Sequence, residues 1–228
     1  MKSIFLSLFL FVSVHAFDSL NLTMLEPSKE SSIQQLKTIA DVHVFIQDIE
    51  ESIQNGNSIS LYVLGVFYMQ DHKTENGIFK ADITKGIQNL TQAAKKGYGV
   101  ASSYLALFYL KNNEPEAAIR QLRWTIVKTN KTPKKLKYNA SLEFATIVLD
   151  YFSSDQSRLE EARDYLLISL KKEKSPVLEF LLANIYNKLG KNDKANFYLN
   201  SACTNNDASA RIKNFCEHGT LIERVKSK

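Results

Sequence analysis

The chain has 228 residues but only eight glycines, four prolines, two cysteines and one tryptophan. So few turn-forming residues argue against an all-β sandwich and exclude a collagen-like chain. Two cysteines are too few for a disulfide-dense mini-protein. The apolar share of 44% and charged share of 23% are ordinary for a globular protein and exclude a wholly disordered one. No segment has 18 unbroken apolar residues, so no stable membrane span is expected once a leader is removed. Catalytic signatures are missing too. There is no H-E-x-x-H or H-x-x-E-H, no G-x-S-x-G elbow, no phosphate loop and no G-x-G-x-x-G. Glu50/Glu51 and Glu160/Glu161 are adjacent carboxylates that fall on different helix faces, which suits a solvated surface. The expectation is no catalytic residue, no cofactor and no metal.

What is present begins with an address. Lys2 precedes an eleven-residue apolar stretch, Ile4–Val14, broken only by Ser7 and Ser13. Val14-His15-Ala16 then fits a cleavage site, so residues 1–16 read as a secretory signal peptide. The stretch is too short for a spanning helix, which needs about 20 residues. The net charge is +5, and removal of Lys2 lowers it by one. That is far from a nucleic-acid-binding composition, and no nucleic-acid partner is expected. In an exported chain the two cysteines, Cys203 and Cys216, read as one disulfide. A helix starting near Asp207 would put Cys216 about 13 Å along it, so the flanking helices would have to cross or kink. A zinc site at Cys203, Cys216 and His218 lacks a fourth ligand at standard spacing.

The body repeats at an offset of 41 residues. Gly56–Tyr68 overlays Gly97–Tyr109, with identities at Gly56/Gly97, Leu64/Leu105, Phe67/Phe108 and Tyr68/Tyr109. Weaker copies carry Phe144-Ala145 and Leu182-Ala183-Asn184-Ile185-Tyr186. Each copy is followed by a second segment with apolar residues at three- and four-residue spacing, the mark of one buried helical face. A small residue beside the Leu lets the paired helix approach. No pair buries its stripe alone, so pairs stack into a continuous core.

These residues resemble the Sel-one-like repeat family, a subclass of tetratricopeptide-like repeats. Asp82-x-x-Lys85-Gly86 is similar to its D-x-x-K-A. Ala93-Ala94-x-x-Gly97-x-x-x-Ala101 is similar to its A-A-x-x-G-x-x-x-A, and Leu105-Ala106-x-x-Tyr109 to its L-G-x-x-Y. Asn89 stands where the family has an aromatic, and the family has one residue fewer between the positions of Gly77 and Asp82. The resemblance implies an all-α fold, a right-handed α-solenoid of antiparallel helix pairs, with about four repeats and capping helices. Asp82 is expected to cap the helix before Lys85.

The expected layout is a signal peptide (1–16), a flexible lead-in (17–30), a helical repeat domain (31–218) and a tail (219–228). Front helices are expected near Ser32–Ile39 and Asp41–Gln54, and a closing helix near Ala208–Glu217. Pro115, Pro133 and Pro176 suit first-turn positions. Asn21, Asn89, Asn130 and Asn139 stand in N-x-S/T sequons, and a bacterial origin would leave them unused.

Two candidate surfaces follow. The family resemblance turns Tyr62, Met69, Ser103, Leu107, Leu142, Thr146, Asn184, Asn187 and Lys188 towards a concave groove suited to a peptide or protein partner. Turn lysines at Lys95, Lys96, Lys128, Lys131, Lys134, Lys135, Lys171, Lys172 and Lys174 offer a basic edge for an anionic envelope component, against the plainer reading that they complement helix ends. The resemblance implies an exported, non-catalytic scaffold for protein–protein interaction, periplasmic or secreted, with a eukaryotic secretory lumen as the alternative compartment. The alternative function is an envelope-polymer (peptidoglycan-like) binder or a β-lactamase-like hydrolase of the disulfide-containing repeat class. The chain has only one cysteine pair, where that class carries one in nearly every repeat.

Overall fold

The computed structural model describes residues 36–127 and 134–218. The structure is all-α, apart from one small hairpin, and neighbouring helices pack on one another in sequence order, as in an α-solenoid. The chain divides into two compact units, with the division between Leu136 and Lys137.

The first unit contains α1 (Ile39–Gln54), α2 (Ser58–Tyr68), β1 (His72–Thr74), β2 (Gly77–Phe79), α3 (Ile83–Lys95), α4 (Gly99–Lys111) and α5 (Pro115–Val127). Helix α1 starts at a capping box. Thr38 Oγ1 accepts from the Asp41 amide at 3.1 Å, and Asp41 Oδ2 accepts from the Thr38 amide at 2.8 Å. Of the front helix expected at Ser32–Ile39, Leu36–Thr38 are not helical, Thr38 being spent as this cap, and Ile39 already begins α1. Val42, Phe45, Ile46 and Ile49 form the buried stripe of α1.

Four helices end in the same way. After α1, α3 and α4, and again after α8 in the second unit, a residue at positive φ closes a Schellman motif: Gly56, Gly97, Asn113 and Gly190. In each, its amide and the next one return to the last turn, as in Gly97 N to Ala94 O at 2.9 Å and Tyr98 N to Ala93 O at 3.0 Å. The repeated glycines of the sequence are these helix stops.

The Leu-small pairs are the packing points. Leu64, Leu105, Phe144 and Leu182 are buried, and so are Gly65, Ala106, Ala145 and Ala183 beside them. A Cβ on Gly65 would lie 2.7 Å from Leu90 Cγ and 3.0 Å from the Leu90 amide nitrogen. One on Gly86 would lie 2.6 Å from Met69 Sδ and 3.1 Å from the Gly65 carbonyl oxygen. Gly65 and Gly86 therefore leave no room for a side chain where α2 and α3 meet.

The hairpin β1–β2 was not expected from the sequence. Its register pairs His72 with Phe79 and Thr74 with Gly77. The turn reaches α1: Asn76 Oδ1 accepts from the Ile39 amide at 2.9 Å, and the Glu75 amide donates to Lys37 O at 2.7 Å. Its base is tied by Asp71, which accepts from the Ala81 amide and from Lys80 Nζ, each at 2.9 Å. Those bonds, the Ala81 amide first, hold the Asp71 carboxyl below the usual carboxylate range.

The second unit holds most of α6 (Lys134–Tyr151), then α7 (Gln156–Leu170), α8 (Pro176–Lys188), α9 (Asn192–Thr204) and α10 (Ala210–His218). Phe144 on α6 meets Tyr165 on α7 edge-on, with centroids 5.1 Å apart. Tyr138 donates to Ser175 Oγ at 2.6 Å or accepts from it, joining α6 to the start of α8. Pro115 and Pro176 take first-turn positions as expected, whereas Pro133 lies outside the described residues. Ile212 of α10 and Ala208 just before it pack on Ala202, with Val177 and Phe180 beside them.

Cys203 and Cys216 form a disulfide, with Cα atoms 5.8 Å apart. The expected obstacle is absent because α10 starts at Ala210, not near Asp207. Cys216 then lies about 9 Å along α10, and a reversal at Asn205–Ser209 returns it to the end of α9. Among the described residues no helix is long and apolar enough to cross a membrane.

Candidate functional site

The structure redistributes the expected groove residues. Tyr62 is 4% exposed, with its ring 5.2 Å from that of Tyr98 and 6.4 Å from that of Tyr104. Burial pushes its hydroxyl pKa well up. Ser103 is buried with no partner for its hydroxyl, and Thr146 is buried with its hydroxyl returned to Leu142 O at 3.0 Å. These three are corrected from groove surface to buried positions, since neighbouring side chains cover them, Tyr62 by the rings of Tyr98 and Tyr104. Met69 is half-buried at the end of α2, where it packs over Gly86. Leu107, Leu142, Asn184 and Asn187 are half-buried, and Lys188 is exposed. Asn184 spends its amide on Phe180 O at 2.8 Å.

Of the basic edge, Lys95, Lys96, Lys134, Lys135, Lys171, Lys172 and Lys174 are exposed, and Lys128 and Lys131 lie outside the described residues. Lys95 ends α3 and Lys171 caps α7, positions that complement a helix C-terminus. Lys134 and Lys135 instead begin α6, at the end where the helix dipole disfavours cations.

A concave surface does exist in the first unit. It lies between α1 and α3, over the end of α2. One hollow of about 290 Å³ is lined by Glu50, Ile53 and Gln54 of α1, Leu61, Leu64 and Tyr68 of α2, and Lys85, Asn89 and Gln92 of α3. A second, of about 540 Å³, is lined by His43, Ile46, Tyr68, Phe79 and the segment Lys80–Ile83, together with Lys85. Tyr68 and Lys85 line both, so the two hollows adjoin at these residues, and together they are called the cleft below.

Local bonds position Tyr68 and Lys85. Asp82 caps α3 by accepting from the Lys85 amide at 3.0 Å, as the sequence led us to expect. The Asp82 amide donates to Tyr68 O at 2.9 Å, which ties the cap to the end of α2. Lys85 Nζ then lies 5.4 Å from the Tyr68 ring centroid, in cation–π range, and 3.7 Å from Asp82 Oδ2. Burial raises the Tyr68 hydroxyl pKa, while the Lys85 charge opposes that shift. Phe79 walls the larger hollow and stands 6.2 Å from both the His43 and Tyr68 rings. The cleft thus joins an apolar floor to a phenol, an imidazole, two ammonium groups, the carboxylates of Glu50 and Asp82 and several side-chain amides. It suits recognition of an extended chain.

Sequence reasoning did not single out this cleft. Tyr68 and Lys85 were visible only as members of L-G-x-x-Y and D-x-x-K motifs, where they read as spacer and motif residue. Their meeting depends on the hairpin, which carries the chain from one motif to the other. Glu50 was read as plain surface and stands on the cleft wall.

No family model, curated protein or solved structure matches the chain.

Proposed function

We propose that the protein is an exported, non-catalytic helical-repeat scaffold of the Sel-one-like kind that binds another protein in the cell envelope or secreted space. The observation that carries this reading is the two-hollow cleft of the first unit, walled by α1, α2, the hairpin and α3. Sites built between stacked helices favour extended or helical segments of a partner. The Cys203–Cys216 bridge supports an oxidising compartment, in keeping with the signal-like residues 1–16.

The test is affinity capture from the protein's own envelope and secreted fractions. Parent bait is compared with Ile83→Arg and Asn89→Arg, which fill the two hollows from their rims, and with charge reversal at Lys171, Lys172 and Lys174. A partner held by the parent and lost on the cleft variants is the expected result. Loss only on lysine reversal would move the site to the basic edge. Capture unchanged by every variant, each folded by circular dichroism, would overturn the reading.

A further inference from the structure

The starts of two helices meet at one edge of the second unit. Tyr138, in the second turn of α6, is hydrogen-bonded at 2.6 Å to Ser175, the N-cap residue of α8. Lys137 stands beside Tyr138 on α6, and Lys171, Lys172 and Lys174 fill the turn that leads from α7 to Ser175. Lys134 and Lys135 begin α6, with Lys134 one turn before Tyr138 on the same face. Against these cations the turn carries one acid, Glu173. Among the described residues none of these lysines has an ion-pair partner.

Helix-end chemistry does not account for them. Lys171 caps α7 and suits its C-terminus, but Lys134, Lys135, Lys137 and Lys174 stand at the starts of α6 and α8, where the dipole repels cations. The first turn of α6 has no acid, and Glu179 in the first turn of α8 is bonded to Ser201 of α9 at 2.8 Å. Like charges gathered at two positive helix ends repel one another, and a bound anion relieves that repulsion.

Two features say what kind of anion. The cations are all lysines, hydrated point charges without the planar fork that grips a single phosphate or carboxylate, and they spread along three helix ends. Ile168 lies one turn before Lys171 and Lys172 on the same side of α7 and is 50% exposed. An apolar side chain beside a run of lysines suits an interface that offers anionic headgroups and hydrocarbon together. A soluble polyanion offers only the first.

We infer that this edge binds the surface of a membrane carrying anionic lipids. Lys137, Lys171, Lys172 and Lys174 lie against the headgroups, and Ile168 enters between them. These residues belong to the second unit and the cleft to the first, and the assignment does not rest on the protein-binding reading.

The probe is a pair of vesicle preparations, phosphatidylcholine alone and phosphatidylcholine with about a third phosphatidylglycerol, sedimented with the protein as its own cells process it. Binding to the anionic vesicles and not to the neutral ones is expected, weakening as salt rises. Changing Lys171, Lys172 and Lys174 together to Gln is expected to weaken it about a hundredfold, at roughly fivefold for each lysine. Ile168→Ser is expected to weaken vesicle binding by about tenfold and to leave binding to dextran sulfate, a soluble polyanion, unchanged. Circular dichroism checks that each variant folds. Equal binding to both vesicles, binding to neither, or binding that survives the Gln variant would overturn the inference. Tighter binding to dextran sulfate than to anionic vesicles, with no effect of Ile168→Ser, would assign the lysines to a soluble polyanion and remove the membrane.

Discussion

Glu143 on α6 is 5% exposed, and its Oε2 has no hydrogen-bond partner. Burial, with a smaller contribution from the charge of Asp150, pushes its pKa up to about 8 from an ordinary 4.5. Asp150 is itself raised, to about 6, by burial. The folded state therefore prefers protonated Glu143, and the unfolded state releases that proton near pH 4.5. Stability from this group is fully present below pH 4.5 and is lost as pH rises towards 8. At about 1.4 kcal/mol per pKa unit the whole window is worth on the order of 5 kcal/mol, with roughly 3 of it gone by pH 7. The perturbation is Glu143→Gln, which keeps the shape and removes the titration. Its buried amide adds a penalty that does not vary with pH, so the slope is the readout. Urea unfolding by circular dichroism at intervals from pH 5 to 8.5 should show parent stability falling relative to the variant by several kcal/mol. Trp124 fluorescence follows the first unit separately as a control. Parallel pH profiles for parent and variant would refute the reasoning.

Gly65→Ala should destabilise the first unit by about 1–3 kcal/mol, because the new methyl meets Leu90 at both side chain and backbone; a thermal melt followed at Trp124 checks it. Asn76→Ala removes the side-chain cap from the Ile39 amide and should cost about 1 kcal/mol, read as faster hydrogen exchange in the first turn of α1. Replacing both Cys203 and Cys216 by Ser opens a short loop worth about 3 kcal/mol in the chain-entropy model. The loss should be confined to α10 and the Asn205–Ser209 turn. Hydrogen exchange that rises equally through α7 and α8 would contradict that.

The helical class was legible because it rests on local periodicity. Val42, Phe45, Ile46 and Ile49 sit on one face whatever packs against them. The repeat was legible because Gly56 and Gly97 perform the same helix-stopping act in each copy. Asp82 was legible as a cap because capping is settled within three residues. The burial of Tyr62, Ser103 and Thr146 was not legible, because helix periodicity says which residues share a face and not how closely that face is covered. Tyr62 and Tyr68 are both aromatic positions of α2, yet one is enclosed by Tyr98 and Tyr104 and the other floors a cleft. The hairpin was missed because each strand has only three residues, too few for an alternating pattern to register.

By itself, then, the sequence determined the helices, their stops and the small-residue positions, since each depends on neighbours within a turn or two. Tertiary structure alone decided three other things. It set the start of α10, and with it the reach of Cys216 to Cys203. It made Asn76 a cap for a helix 37 residues earlier. It brought Tyr68 and Lys85 together where the two hollows adjoin. Each of these is a distance between atoms far apart along the chain, and such distances are fixed only when the helices have closed on one another.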